Sequence, residues 1–282
     1  LEESEGGREW KPGKEVEIIT GTKVKDISRR DGNINAATSQ GCIEAELAVV
    51  CASGHSLMFA QRLGFGAQFS CLPVAGSFYH TRKLLHGKVY TIQNNKLPFA
   101  AIHGDPDLLH PDKTRFGPTA LVLPLLERRR IGTLIDFLRV VKIDRNVLAV
   151  FRAMLGDKDI RSFIFRNFLY ELPYLYRYFF VKEVRKIIPD LKPHDIQYAR
   201  GVGGLRPQLI DKQKRALAMG EAKIDTGQGL IFNITPSPGA SSCLDNACQD
   251  IKRLCNQSHY SYFRDQWVDE LAPEFNQTFQ VA

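Results

Sequence analysis

The residues best suited to chemistry in this chain stand in three short glycine-bearing stretches and beside one histidine. Near the end, the apolar run Leu230-Ile-Phe-Asn-Ile234 is broken by Pro236, Pro238 and Gly239, and a helical pattern (Leu244, Ala247, Cys248, Ile251, Leu254) follows at once. That pattern predicts strand, tight loop, helix. A helix start presents unpaired N–H groups and the positive end of the helix dipole, which suits a phosphate, a carboxylate or an electron-rich ring oxygen. Ser241 or Ser242 is the expected N-cap. The same stretch also fits an ordinary strand-to-helix connection. A second stretch, Tyr198-Ala-Arg-Gly-Val-Gly-Gly-Leu-Arg-Pro-Gln208, carries Arg200 and Arg206 on a glycine-rich bend. There backbone and guanidinium can approach one anion together, and Arg is shaped for a bidentate carboxylate; a plain surface turn is the alternative. Its glycines do not make the G-x-G-x-x-G dinucleotide fingerprint. In the third, Leu47-Ala-Val-Val-Cys-Ala-Ser-Gly54, an apolar strand stops at a turn of small residues that lets backbone come close to a ligand. Finally, Phe99-Ala-Ala-Ile-His103 reads as a strand ending on His-Gly-Asp, which places an imidazole at a sheet edge. Such a histidine serves a pocket or simply packs.

These groups need a scaffold, and 282 residues are ample for one large domain or two smaller ones. No run of 18 apolar residues occurs and the N-terminal stretch carries no secretion signal, so an intracellular chain that does not span a membrane is expected. The six cysteines show no C-x-x-C pair and no zinc spacing, which predicts buried reduced thiols and no metal. A net charge of +7 admits several anionic partners. Basic residues are interleaved with acidic ones, however, and the basic-aromatic signature of a nucleic-acid reader is missing, so no nucleic acid is expected.

In chain order, residues 1–15 are polar and glycine-rich and read as a loop. Val16–Thr20, Lys23–Ile27, Asn33–Thr38 and Gly41–Ala45 read as a β-meander with a two-residue hairpin signal at Asp31-Gly32. The strand through Leu47–Cys51 is continuously apolar and is expected in the middle of a parallel sheet, with a helix after it. Residues 72–80, 88–93, 99–103 and 115–123 read as strands of a mixed or antiparallel sheet. Helical periodicity fills 131–197, with Pro173 breaking the aromatic and basic run 163–180. That run is either a layer packed on the sheet or an interfacial membrane face. A hairpin at 223–233 leads into the final strand, loop and helix. The fold class is therefore α/β with α+β character, in three parts: 1–68, 69–197 and 198–282.

Four blocks occur in one order: Leu72-Pro-Val-Ala-Gly-Ser-Phe; Ile102-His-Gly-Asp with Arg115-Phe-Gly-Pro; Gly203-Gly-Leu-Arg-Pro-Gln-Leu-Ile; and Pro236-Ser-Pro-Gly-Ala-Ser-Ser. Together with the meander and the Cys51-Ala-Ser-Gly54 turn, they resemble the malate:quinone oxidoreductase family, within the D-amino-acid-oxidase type of flavoprotein, over residues 16–255. The resemblance implies a partial Rossmann-like FAD-binding domain with a meander, plus a helix-covered substrate domain. It implies FAD as cofactor, hydride transfer from C2 of a malate-like 2-hydroxy acid to the flavin, and a quinone as acceptor. Peripheral contact with the inner face of the cytoplasmic membrane through 160–190 goes with that reading. His103 matches the family's general base, and Arg206 and Arg115 the carboxylate clamp. Ala52, Ser53, Gly54, Gly204, Pro238, Gly239, Ala240 and Ser241 match positions near the cofactor. The residues around His103 depart from the malate pattern, which keeps 2-hydroxyglutarate or another 2-hydroxy acid as substrate open, as well as a noncatalytic binding module. The N-terminal glycine fingerprint that grips the FAD pyrophosphate has no counterpart in residues 1–60, so the chain is expected to be a C-terminal part of a longer enzyme, unable to hold FAD alone.

Overall fold

The computed structural model describes residues 16–92, 101–218, 220, 222–235 and 239–260. The chain forms two compact units, divided after Ala48. In the first, β1 (Val24–Arg30), β2 (Asn33–Thr38) and β3 (Cys42–Ala45) make an antiparallel meander. Asp31 and Gly32 have φ of 51° and 87°, the two positive values that a two-residue hairpin turn requires. Ile27 and Ile34 are its buried apolar residues. Val16–Thr20, expected as a further strand, is irregular and exposed. It alternates like a strand, but alternation alone gives it no neighbour to pair with.

The chain continues through β4 (Ala48–Val50) into α1 (Gly54–Arg62). There follow β5 (Phe69–Ala75), β6 (Tyr79–Arg82), β7 (Val89–Tyr90), β8 (His103–Pro106), β9 (Lys113–Gly117) and β10 (Leu121–Val122). Four helices come next: α2 (Leu134–Val141), α3 (Arg145–Gly156), α4 (Lys158–Tyr170) and α5 (Tyr176–Val184). Asp144 and Asp157 cap α3 and α4 by accepting hydrogen bonds from backbone N–H groups of the first turn. The break between α4 and α5 contains Pro173, as the sequence predicts. The chain ends in β11 (Gln197–Tyr198), β12 (Leu205–Asp211), β13 (Ala216–Leu217), β14 (Ala222–Asp225), β15 (Leu230–Ile234) and α6 (Gly239–Asn256).

The strands of the second unit form three sheets, ordered β10-β5-β12-β13, β11-β6-β9-β8-β7 and β14-β15-β4. Two expectations are corrected here. The apolar strand β4 lies at the edge of its sheet, with Val49 39% exposed, rather than in the middle. His103 opens β8 instead of closing a strand, and β8 is an inner strand between β9 and β7, pairing His103 with Gly117 and Tyr90. Residues 72–80 and 115–123, each read as one strand, are each split between two sheets. Three chain segments make this passage: 69–82, 113–122 and 197–211. They keep the same neighbours on both sides of it, with 69–82 in the centre. Hydrogen bonds continue across the seam, from Gly76 N–H to Gly204 O at 2.9 Å, Thr119 N–H to Ser77 O at 3.0 Å and Ala199 N–H to Phe78 O at 2.9 Å.

Helices cover both sheets. Val147, Val150 and Met154 of α3 pack with Leu72, Val74 and Ile210 on the four-stranded sheet. Phe180 and Val184 of α5 pack with Tyr79, Phe116 and Ile196 on the five-stranded one, where the Tyr79 and Phe180 rings lie 4.2 Å apart. Burial pushes the Tyr79 phenol pKa far up, and its O–H donates to the Tyr170 carbonyl. Of the six cysteines only Cys71 is buried, its thiol pushed up to about 12 by that burial, while Cys42, Cys51 and Cys243 are exposed. The expectation of buried thiols therefore holds for Cys71 but not for these three, because β3, the turn after β4 and the start of α6 present their cysteines outward. None forms a disulfide. Among the described residues no helix is long and apolar enough to cross a membrane.

Candidate functional site

The seam at Gly76–Phe78 gathers the three residues for which the sequence suggests substrate chemistry. His103 is buried and lies edge-on to the Phe78 ring at 6.3 Å, with the Tyr90 ring 4.9 Å away. Burial lowers its pKa and keeps the imidazole neutral. Its Nδ1 is 3.1 Å from the Ala101 carbonyl oxygen, which fixes Nδ1 as the protonated nitrogen and leaves Nε2 with a lone pair. Arg115 also lies over Phe78, 4.8 Å from the ring centre. Its guanidinium is engaged, however, donating from Nε and Nη2 to both oxygens of Asp105.

Arg206 differs from Arg115. It sits on β12 opposite Val74, its Nη1 close to Gly76, and it has no ion-pair partner among the described residues. It is half-buried, and burial pulls its pKa below the ordinary guanidinium value. A partly desolvated guanidinium of this kind suits a carboxylate.

The glycine stretch 201–204 owes its composition to this seam. At Gly203, φ is +99° and a β-carbon would lie 2.1 Å from the Gly76 carbonyl oxygen, so no side chain fits. Gly204 contributes its carbonyl to Gly76 N–H, and a β-carbon there would meet open space. Arg200 lies apart from these contacts, in the turn after β11.

Two functional candidates escaped the sequence. Arg128 donates to the Gly76 carbonyl, the Ser77 hydroxyl and, at 3.2 Å, the Tyr198 hydroxyl. Glu171 accepts from Ser77 Oγ at 2.7 Å and Thr119 Oγ1 at 2.5 Å, and stands 3.7 Å from Arg128. In sequence, Arg128 is hidden in the basic run Arg128–Arg130 and Glu171 in a helix end, and no spacing rule joins residues 77, 119, 128 and 171.

The positions expected near a cofactor fall in a second place. A cavity of about 550 Å³ lies between the turn after β4 and the start of α6, lined among others by Cys51, Ser53, Asn233, Gly239 and Asp250. Such a volume suits a small ligand. Ala240 and Ser241 follow Gly239 in the first turn of α6, so neither Ser241 nor Ser242 is the N-cap. Pro238, with the rest of the loop 236–238, lies outside the described residues. Ser53 lines the cavity, but Ala52 does not, and its N–H is bound by Ser56 Oγ at 2.8 Å. Gly54 faces the other way: a β-carbon there would lie 3.0 Å from Leu126 and 3.7 Å from Pro207, so it serves the packing of α1 beside β12. Lys223 and Asp250 form a buried ion pair at 3.0 Å, and Asn233 donates to Asp250. Among the described residues Asn233 Oδ1 is buried without a hydrogen-bond partner, so it is an acceptor that suits a ligand N–H or O–H.

The sequence relatives of this chain fall in one class of enzyme. They are malate:quinone oxidoreductases: the chain is similar to the probable malate:quinone oxidoreductase of Campylobacter jejuni, 48% identical over 93% of this chain and 59% of the relative. It is 44% identical to the malate:quinone oxidoreductase of Helicobacter pylori strain J99, over 92% of this chain and 58% of the relative. The chain thus spans about three fifths of the length of these curated relatives. No family model matches it. Among solved structures, the glycine oxidase of Geobacillus kaustophilus aligns with a TM-score of 0.44 at 15% identity, covering 89% of this chain and 50% of that one. The L-amino acid deaminase of Proteus vulgaris aligns with a TM-score of 0.45 at 13% identity, covering 84% and 54%.

Proposed function

We propose that this chain carries the substrate site and part of the cofactor site of an FAD-dependent enzyme that oxidises malate or a closely similar 2-hydroxy acid, with a quinone as electron acceptor. One observation carries this reading above the others: the half-buried Arg206, without an ion-pair partner among the described residues, and the neutral His103 lie along one glycine-lined seam. Oxidation of a 2-hydroxy acid removes a proton from oxygen and a hydride from C2. Arg206 binds the substrate carboxylate and thereby sets which face of C2 is presented. His103 Nε2 takes the hydroxyl proton, with Nδ1–H held on the Ala101 carbonyl so that the ring does not rotate. Arg128, tied to Gly76 and Ser77, positions the backbone on which both groups depend.

Ser53, Asn233 and Gly239, with Ala240 and Ser241 in the first turn of α6, fit a cofactor wall, since Asn233 Oδ1 lacks a donor and the helix start supplies N–H groups. When bound there, FAD supplies the two-electron acceptor.

Quinone exchange requires access to a bilayer. Phe165, Phe168, Tyr174, Leu175 and Tyr178 are exposed among Arg161, Arg166 and Arg177, a composition that suits the headgroup layer. Other members of the same segment, Phe163 and Phe180, pack on the sheets, so the run serves both roles. The test of the function is malate-dependent reduction of a quinone analogue by the intact protein, run beside 2-hydroxyglutarate and lactate. Wild-type turnover with malate that falls at least about 10²-fold in His103→Ala supports the proposal. Faster turnover with another acid replaces the substrate, and no turnover with any of them favours a noncatalytic binding module.

A further inference from the structure

His80 on β6, Asp107 just after β8 and His110 in the turn before β9 converge at the far end of the hairpin that begins with His103. His80 Nε2 is 2.7 Å from Asp107 Oδ2, and His110 Nδ1 is 3.4 Å from Asp107 Oδ1. The two imidazole rings are 5.3 Å apart between centres, and one donor atom from each of the three residues lies within 4.8 Å of the others. We propose that these three side chains form a binding site for a divalent transition-metal ion of the zinc type.

Two imidazoles and one carboxylate are a borderline donor set that suits Zn²⁺ better than Mg²⁺ or Ca²⁺, which prefer all-oxygen shells. Donors of a tetrahedral centre at about 2.1 Å stand roughly 3.4 Å from one another. The His110–Asp107 distance already meets this, and the His80–Asp107 contact has to lengthen. Asp107 is the pivot. The backbone N–H groups of Leu109 and His110 donate to its Oδ1 at 2.8 and 3.0 Å, so the carboxylate is aimed before any cation arrives. His80 and Asp107 are buried, while the His110 side chain is 44% exposed and leaves an open side for entry and for a water ligand. In sequence the cluster is invisible, because His80 and Asp107 are 27 positions apart and meet only through the pairing of β6, β9 and β8.

The site is not catalytic for the proposed oxidation. Asp107 is four residues along the strand from His103, about 13 Å at strand rise. The ion instead clips β6 to the hairpin that presents His103 and Arg115. After the intact protein is stripped with a chelator, a Zn²⁺ titration against a chromogenic competitor is expected to show one site per chain, weakened at least about tenfold in His110→Ala. Asp107→Asn keeps the acceptor that shapes the turn but removes the charge, and is expected to weaken Zn²⁺ binding likewise. Added Zn²⁺ is expected to raise the thermal midpoint of wild type and not of His110→Ala. Wild type that takes up no Zn²⁺, affinity unchanged in both variants, or binding that thiol alkylation abolishes would each overturn the proposal, the last by placing the ion on cysteines.

Discussion

Arg115 gives two hydrogen bonds to Asp105, from Nε at 3.2 Å and from Nη2 at 3.0 Å, and so is engaged within its own sheet. Arg206, across the seam, has no such partner among the described residues. The pair therefore divides the labour that the sequence assigns to both. Arg206→Met is expected to raise KM for the 2-hydroxy acid about 10- to 100-fold, the loss of a charge-assisted bond worth roughly 1.5–3 kcal/mol. Arg115→Met is expected to change KM little. Steady-state kinetics on the two variants checks this, and a larger KM effect at Arg115 would reverse the assignment.

The pH profile follows from His103. Burial disfavours its charged form, so Nε2 keeps its lone pair at pH values below the ordinary histidine range. The acid limb of kcat/KM is expected below about 6.5 and to vanish in His103→Ala. A lowered folded-state pKa also makes the native state less stable in acid: the stability is present above about 6.5, where unfolded histidine is neutral, and is lost as pH falls toward the folded value. An acid limb above pH 7 is the outcome that excludes His103 as the base.

The neighbouring glycines 203 and 204 give a stability test. Gly203→Ala has to fit a β-carbon against the Gly76 carbonyl at positive φ and is expected to cost more than about 2 kcal/mol. Gly204→Ala meets no atom within 4 Å and is expected to stay within about 1 kcal/mol of wild type. Thermal unfolding of both variants separates strain at one position from a general intolerance of the bend.

The Arg128–Glu171 network is expected to behave as a unit. Glu171→Ala leaves a mostly buried guanidinium and two hydroxyls without their acceptor, at a cost of about 3 kcal/mol. Adding Arg128→Met is expected to recover part of that loss, because the unpaired charge goes with it. Strictly additive losses in a double-mutant cycle would show that the two side chains act separately.

For the membrane face, Phe168→Ser with Tyr178→Ser is expected to reduce sedimentation with anionic liposomes, and rising salt to weaken the remainder. Unchanged sedimentation would place the contact elsewhere.

Much of this organisation was legible in the sequence, for identifiable reasons. The Asp31-Gly32 turn, the Pro173 break and the α6 periodicity are local signals, and local chemistry decides them. The blocks at 72–78, 102–105 and 203–206 marked the seam because glycines and a histidine recur where backbones cross. What the sequence concealed is non-local. That β8 begins at His103 depends on pairing with Gly117 and Tyr90. That Arg115 is engaged depends on Asp105 facing it across the ladder. Gly54 reads as a ligand-facing residue, although its lack of a side chain serves α1 packed near Pro207. Glu171 gathers partners from three distant parts of the chain and leaves no trace in spacing.

The three segments that pass together from one sheet to the other also bear on how substrate enters. Because 69–82, 113–122 and 197–211 keep the same neighbours on both sides of Gly76–Phe78, with hydrogen bonds across the crossing, the two sheets cannot part like jaws without breaking that ladder. For the proposed site at Arg206 and His103 this frame is template-like: the placement of the strands that carry both residues is set when the chain folds, without a hinge at the crossing.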